Sequence, residues 1–293
     1  MGAFLGAALA RAGEPALLVA REPTAAAIDR HGLTVESARL GDFTARPAVA
    51  TALDQPADAL VVATKAKDLE PALDRVAAEP ALVVPLLNGL DHVAVLRDRF
   101  GPRTVAASIR IEAYRTDTTH VRQTSDFLRI DAASENARML PGVEAFAATL
   151  GRAGVPVRVM GSEAQALWGK LVRLNALALM TSAYDRPLGP LRTTPELRDE
   201  LRACVEEAAA VARADGASVD AATVMEELDE AHPTLGTSMQ RDIAAGVEPE
   251  LDAIAGSVLR AAARHGLACA TIERLAARVA ERASVRVPAA ATG

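Results

Sequence analysis

Apolar positions along the first half of the chain fall into short runs separated by helical patterns. In the second half the helical pattern stands alone. Residues 1–12 carry apolar side chains at helical spacing, Gly13 supplies a left-handed stop, and the run 16–20 reads as a strand ending at Arg21. Further strands are predicted over 59–64, 81–87, 104–113, 119–124, 127–130 and 155–160, and helices over 68–79, 91–100 and 142–153. Continuous Val/Leu runs bounded by helices predict strands buried on both faces of a parallel sheet. Residues 114–120 read as the turn of an antiparallel hairpin.

After Gly161 one long helix is predicted over 162–184, with few positions suited to water. Thr194 and Pro195, an N-cap and a first-turn proline, open a second helix that stops at Gly216. Pro249 opens a third, in which Leu251, Ile254 and Val258 share a face, and Gly266 ends it. The low-complexity tail 287–293 is expected to fray. The layout is therefore a Rossmann-type dinucleotide-binding α/β domain over 1–161, followed by a helical domain over 162–293.

A chain of 293 residues is long enough for two such domains. Half of it is apolar but only 3% is aromatic, so the core must be built from Ala, Val and Leu. A net charge of −6 argues against a nucleic-acid partner, which selects a basic face. Cys204 and Cys269 lie in helical patterns without CxxC spacing and read as buried, reduced thiols. No apolar run is long enough to span a membrane, and a soluble cytoplasmic protein is expected.

Gly2, Gly6 and Ala10 put small side chains along one face of the opening helix, which suits close packing against a sheet or a phosphate. In an Ala-rich helix, plain packing explains them equally well. Arg21 stands where a strand-end residue would meet a dinucleotide's adenine ribose; an arginine there accommodates a 2′-phosphate, although Glu22 is its neighbour. Lys65 and Asn88 each follow a strand, at the edge where open α/β sheets bind ligands. Singly, each also fits an ordinary loop. Lys170 sits early in the most apolar helix, so it either snorkels to water or is held in a site as a proton donor. The five histidines are scattered, and neither a metal-binding pair nor a nucleophile elbow appears.

These pieces together resemble the ketopantoate reductases (2-dehydropantoate 2-reductases) over essentially the whole chain. Four blocks carry the resemblance: "GAFLGAALARAGEPALLVARE", "ALVVATKAKDL…LVVPLLNGL", "ALWGKL" and "SMQRDIAAGVEPELDAIAGSVLRAAARHG". It implies NADPH-dependent reduction of a 2-oxo acid, with ketopantoate as the first candidate. Gly2 is similar to the third glycine of the nucleotide fingerprint and Arg21 to the reader of the NADP 2′-phosphate. Lys65 and Asn88 are similar to strand-end residues that contact cofactor and substrate, and Ala113 to the position facing the nicotinamide. Lys170 resembles the general acid, Ser238 a substrate partner, and Glu250 an acid acting beside the nicotinamide ribose. The helical domain is expected to bind substrate and to form a homodimer interface.

The chain departs from the family in two places. The family carries asparagines four and eight residues after the lysine; here those positions are Leu174 and Ala178, and Asn175 lies about 100° round the helix. Arg110 and Glu112 stand where the family has small or hydroxyl residues, and Arg110 is a candidate for holding a substrate carboxylate. The family also opens about ten residues earlier, with a strand and two more glycines. Met1 is therefore expected to be an internal or misassigned start. Two other readings stay open: a reductase acting on another small carbonyl, and an inactive nucleotide-binding relative.

Overall fold

The computed structural model describes residues 1–288, so the tail from residue 289 on, where fraying was expected, lies outside the described residues. The chain forms two compact units. The first comprises Met1–Leu87 and His92–Ala166; the second comprises Asn88–Asp91 and the chain from Leu167 onward.

The first unit is a Rossmann-type α/β unit. Its elements run α1 (Gly2–Arg11), β1 (Leu17–Val19), α2 (Glu22–His31), β2 (Leu33–Ser37), β3 (Phe43–Ala45), β4 (Ala48–Ala50), β5 (Leu60–Val62), α3 (Leu69–Leu73), β6 (Val83–Pro85) and α4 (His92–Phe100). They continue through β7 (Ala106–Arg110), β8 (Ala113–Arg115), β9 (His120–Gln123), β10 (Arg129–Ala133), α5 (Leu140–Arg152) and β11 (Val157–Met160). α1 ends where expected, with Gly13 at φ 73°.

Among the described residues the strands form four sheets: the parallel pairs β1–β4 and β5–β6, which contain the strands predicted from the Val/Leu runs, and two mixed sheets, β3–β2–β9–β8 and β11–β10–β7. β1 pairs with β4, β5 with β6, β2 with β9 and β10 with β11 in parallel, whereas β7–β10, β2–β3 and β8–β9 are antiparallel. The antiparallel part follows from connectivity, since β7 leads through the β8–β9 hairpin to β10 without a helical crossover. The strand expected over 104–113 breaks at Ile111 and Glu112, where the Glu112 N–H donates to Ser125 Oγ at 3.0 Å. The helix expected over 68–79 stops at Leu73. The chain then turns so that Val76 bridges buried Leu53, and the Ala77 N–H donates to the Leu53 carbonyl at 2.8 Å.

α1 carries Phe4, Leu5, Ala7 and Ala8 into a core that includes Val84, Ile109, Ile130, Phe146 and Leu150. At Gly6 an added Cβ would lie 2.5 Å from Leu18 Cδ2, so the glycine lets α1 lie close on β1.

In the second unit the helices are α6 (Glu163–Tyr184, whose first residues belong to the first unit), α7 (Leu188–Thr193), α8 (Pro195–Ala214), α9 (Ala221–Glu230), α10 (Ser238–Ala244), α11 (Ser257–Arg264) and α12 (Ala270–Ala283). α8 is central, packing on α7, α9, α11 and α12. The Glu207 carboxylate caps α12, accepting from the Thr271 and Ile272 N–H groups at 2.9 Å each. Cys204 and Cys269 are buried and free; burial is the main force raising both thiols, Cys269 to about 11, which leaves them unreactive. No helix among the described residues is long and apolar enough to cross a membrane.

Candidate functional site

The second unit gathers three of the expected residues. Lys170, on the second turn of α6, donates from Nζ to Asn88 Oδ1 at 2.8 Å. Asn88 donates from Nδ2 to Glu250 Oε2 at 3.0 Å. A carboxylate only accepts and an ammonium only donates, so the two partners fix which way the amide faces. Asn88 thus links a cation to an anion. All three residues are half-buried.

Two backbone features place this trio. Gly89 adopts φ 87°, and a Cβ there would overlap the Ala253 carbonyl oxygen and lie 2.9 Å from its carbon. Only glycine lets the Asn88–Asp91 segment approach so closely. Ala253 belongs to one turn of π-helix, Asp252–Gly256, that begins two residues after Glu250 and leads into α11. Such turns recur beside functional sites because they re-aim the side chains around them.

α6 itself is anchored two residues before Lys170. Trp168 is 1% exposed and donates from Nε1 to Asp215 Oδ2 at 2.8 Å, and His265 Nε2 lies 2.9 Å from Asp215 Oδ1. Burial raises the Asp215 carboxyl, but the His265, Trp168 and Arg264 partners outweigh it and hold the group below its ordinary value.

Ser238 is exposed at the start of α10, after the capping residue Thr237, whose hydroxyl lies 2.9 Å from Thr181 Oγ1 on α6. Thr181 is eleven residues beyond Lys170, about 16 Å along the helix axis. The Lys170–Asn88–Glu250 hydrogen bonds therefore do not extend to Ser238. On α6, Leu174 is half-buried, Ala178 is fully buried, and Asn175 is 0% exposed with Nδ2 3.8 Å from Cys204 Sγ.

The first unit places the other candidates. Gly2 is the first residue of α1, and a Cβ there would meet Ala63, just past β5, at an ordinary 3.7 Å. The close helix–strand contact is made by Gly6 instead. Arg21 is exposed between β1 and α2, and Lys65 is half-buried just past β5, beside Thr64, whose hydroxyl oxygen is buried without a hydrogen-bond partner. Ala113 opens β8 opposite Gln123. Arg110 ends β7 opposite Arg129, in a row where Arg129 and Arg158 each donate from Nε to buried Asp131 Oδ1 at 2.9 Å.

Sequence reasoning missed Asp91, Asp252 and Arg260 around the trio. Arg260 donates to Asp91 Oδ2 at 2.6 Å and to Asp252 Oδ1 at 2.8 Å. Neither pairing was readable: Asp252 and Arg260 are eight residues apart, beyond the three- and four-residue spacings at which helical side chains meet, and Asp91 is 169 residues from Arg260.

Comparison with known proteins matches residues 1–134 to the family "Ketopantoate reductase PanE/ApbA" and residues 164–283 to "Ketopantoate reductase PanE/ApbA C terminal". The 2-dehydropantoate 2-reductase of Halobacterium salinarum is 30% identical, with 81% of each chain covered. The crystal structure of 2-dehydropantoate 2-reductase from Geobacter metallireducens superposes with a TM-score of 0.87 at 26% identity, covering 95% of both chains. A ternary structure of D-mandelate dehydrogenase with NADH and anilino(oxo)acetate shares the fold, with a TM-score of 0.87 at 19% identity, covering 97% of this chain and 96% of that one.

Proposed function

The chain belongs to the ketopantoate reductase family, and we propose that it uses NADPH to reduce a small 2-oxo acid to the 2-hydroxy acid. The observation that carries this reading is the Lys170–Asn88–Glu250 chain of hydrogen bonds. An inert relative has no use for an ammonium aimed by an amide that is itself aimed by a carboxylate.

When bound, the cofactor supplies the hydride that makes the carbonyl carbon tetrahedral. Lys170 stabilises the developing negative charge on the carbonyl oxygen and gives that oxygen its proton from Nζ. Asn88 holds the ammonium in one direction, so little reorganisation is left for the moment of reaction. Glu250 keeps the Asn88 amide from rotating.

The donor set of the first unit suits a dinucleotide with a 2′-phosphate. Lys65 and the Thr64 hydroxyl, whose buried oxygen has no hydrogen-bond partner, lie just past β5, close to the start of α1, where helix N–H groups favour anions. The D-mandelate dehydrogenase of the same fold holds NADH, so the choice of NADPH rests on Arg21. Arg21→Ala should weaken NADPH binding by at least about 10-fold, the loss of a charge-assisted pair, and leave NADH nearly unchanged. Titration of the nicotinamide fluorescence measures both; equal losses would remove Arg21 from that role.

Ketopantoate is the first candidate substrate. The surface beside Lys170 favours a second reading within the same chemistry. One turn beyond Lys170 the α6 surface is Leu174, Ala178 is closed to solvent, and Asn175 is fully buried, with Nδ2 3.8 Å from Cys204 Sγ. With no amide on that face to pair with a hydroxyl, a 2-oxo acid with an apolar side chain fits better.

A further inference from the structure

Resting on the reductase reading, we infer that Arg260 is a positioning residue for the reaction, acting on Asn88 and Glu250 through the two aspartates it holds. Asp91 lies three residues after Asn88, and Asp252 two residues after Glu250. Arg260 reaches both from α11. It donates from Nε and Nη2 to Asp91 Oδ2, at 3.2 and 2.6 Å, and from Nη1 and Nη2 to Asp252 Oδ1 and Oδ2, at 2.8 and 3.1 Å. Its Nη2 also donates to the Asp252 carbonyl at 3.1 Å.

The fold makes room for this clamp. At Gly256 a Cβ would lie 2.5 Å from Asp252 Oδ1 and 2.9 Å from Arg260 Nη1, so a larger residue there would displace the guanidinium. The Arg260 side chain is 23% exposed and those of Asp91 and Asp252 are 46% and 71% exposed, so the clamp rests on the geometry of its hydrogen bonds rather than on exclusion of water. Burial opposes its charge, but the two carboxylates outweigh that and hold it firmly protonated. The contact between Gly89 and Ala253 fixes how near the two segments lie. Arg260, bonded at the far end of each, fixes their rotation, and with it the direction in which Asn88 presents its amide.

The test uses the full chain and three variants: Arg260→Met, Asp91→Asn and the double. Two readouts are taken: steady-state reduction of a 2-oxo acid with NADPH, and the side-chain amide NMR signal of Asn88 in the ligand-free protein. Arg260→Met should lower kcat by about 10- to 100-fold, the usual cost of a misplacement near 1 Å, with KM for NADPH near its wild-type value. Asp91→Asn should lower kcat in the same direction, and the double variant should fall no further than Arg260→Met, because one clamp is lost only once. The Asn88 amide signal should move in all three. Unchanged kcat together with an unmoved Asn88 signal would overturn the inference, as would losses that multiply independently in the double variant. If Arg260→Met fails to fold, Asp91→Asn alone decides by the same readouts. A wild-type chain that reduces no 2-oxo acid would refute the reductase reading. The Asn88 signal would then still show whether Arg260 holds that amide: movement upholds the clamp, and no movement overturns it.

Discussion

Lys170→Ala is expected to cut turnover by about 10²-fold or more while leaving NADPH binding nearly intact. The size follows from removing a general acid, a contribution of about 10²- to 10⁴-fold, together with a cation that faces the developing alkoxide. Because the lost interactions strengthen only as the carbonyl oxygen gains charge, the loss should appear in kcat and kcat/KM alike. Asn88 would survive in place, still bonded to Glu250, so the defect would be chemical rather than structural. Stopped-flow single turnovers with NADPH in excess measure this directly. A variant with near-normal single-turnover rate would take Lys170 out of the mechanism.

Gly89→Ala should be nearly as damaging, for a different reason. A side chain at φ 87° costs about 1–2 kcal/mol in backbone strain wherever it occurs. Here the new methyl would also overlap the Ala253 carbonyl, so the Asn88–Asp91 segment or the π-turn must move. Either movement displaces a member of the trio, and a shift near 1 Å costs about 10²-fold in turnover. Gly13→Ala is the control. Gly13 has φ 73° with nothing within 4 Å of an added Cβ, so that variant carries the strain without the clash. Comparison of thermal stability and kcat across the two variants separates the effects. Equal behaviour of both would mean that close packing at Gly89 is irrelevant to the site.

The long helices were legible in the sequence because each carries a full apolar stripe and its own stop signals, as α6 and α8 do. So were the Gly13 stop and the β8–β9 hairpin. The region 22–50 was not read, although it holds α2 and three strands. β3 and β4 have only three residues each, too short for any periodicity, while β2 did show alternation through Leu33, Val35 and Ser37. α3 fell short because the backbone after Leu73 turns to pair with Leu53, a tertiary preference that local propensity does not encode.

The candidate site was legible as separate residues and illegible as an arrangement. Lys170 stood out as a lysine on an apolar helix, and Asn88 as a polar strand end. Their hydrogen bond joins positions 82 apart, and the one from Asn88 to Glu250 joins positions 162 apart. No local pattern foretells such a pairing. The Asn-Gly pair looked like loop punctuation, and only the Ala253 contact reveals why glycine is needed there.

The most direct test of the central claim is steady-state oxidation of NADPH by the purified chain, with ketopantoate and an apolar-chain 2-oxo acid offered in turn and the product identified. The account predicts NADPH oxidation matched mole for mole by formation of a 2-hydroxy acid, faster with the apolar-chain acid and lost in Lys170→Ala. NADPH that binds but is not oxidised with any 2-oxo acid would contradict it.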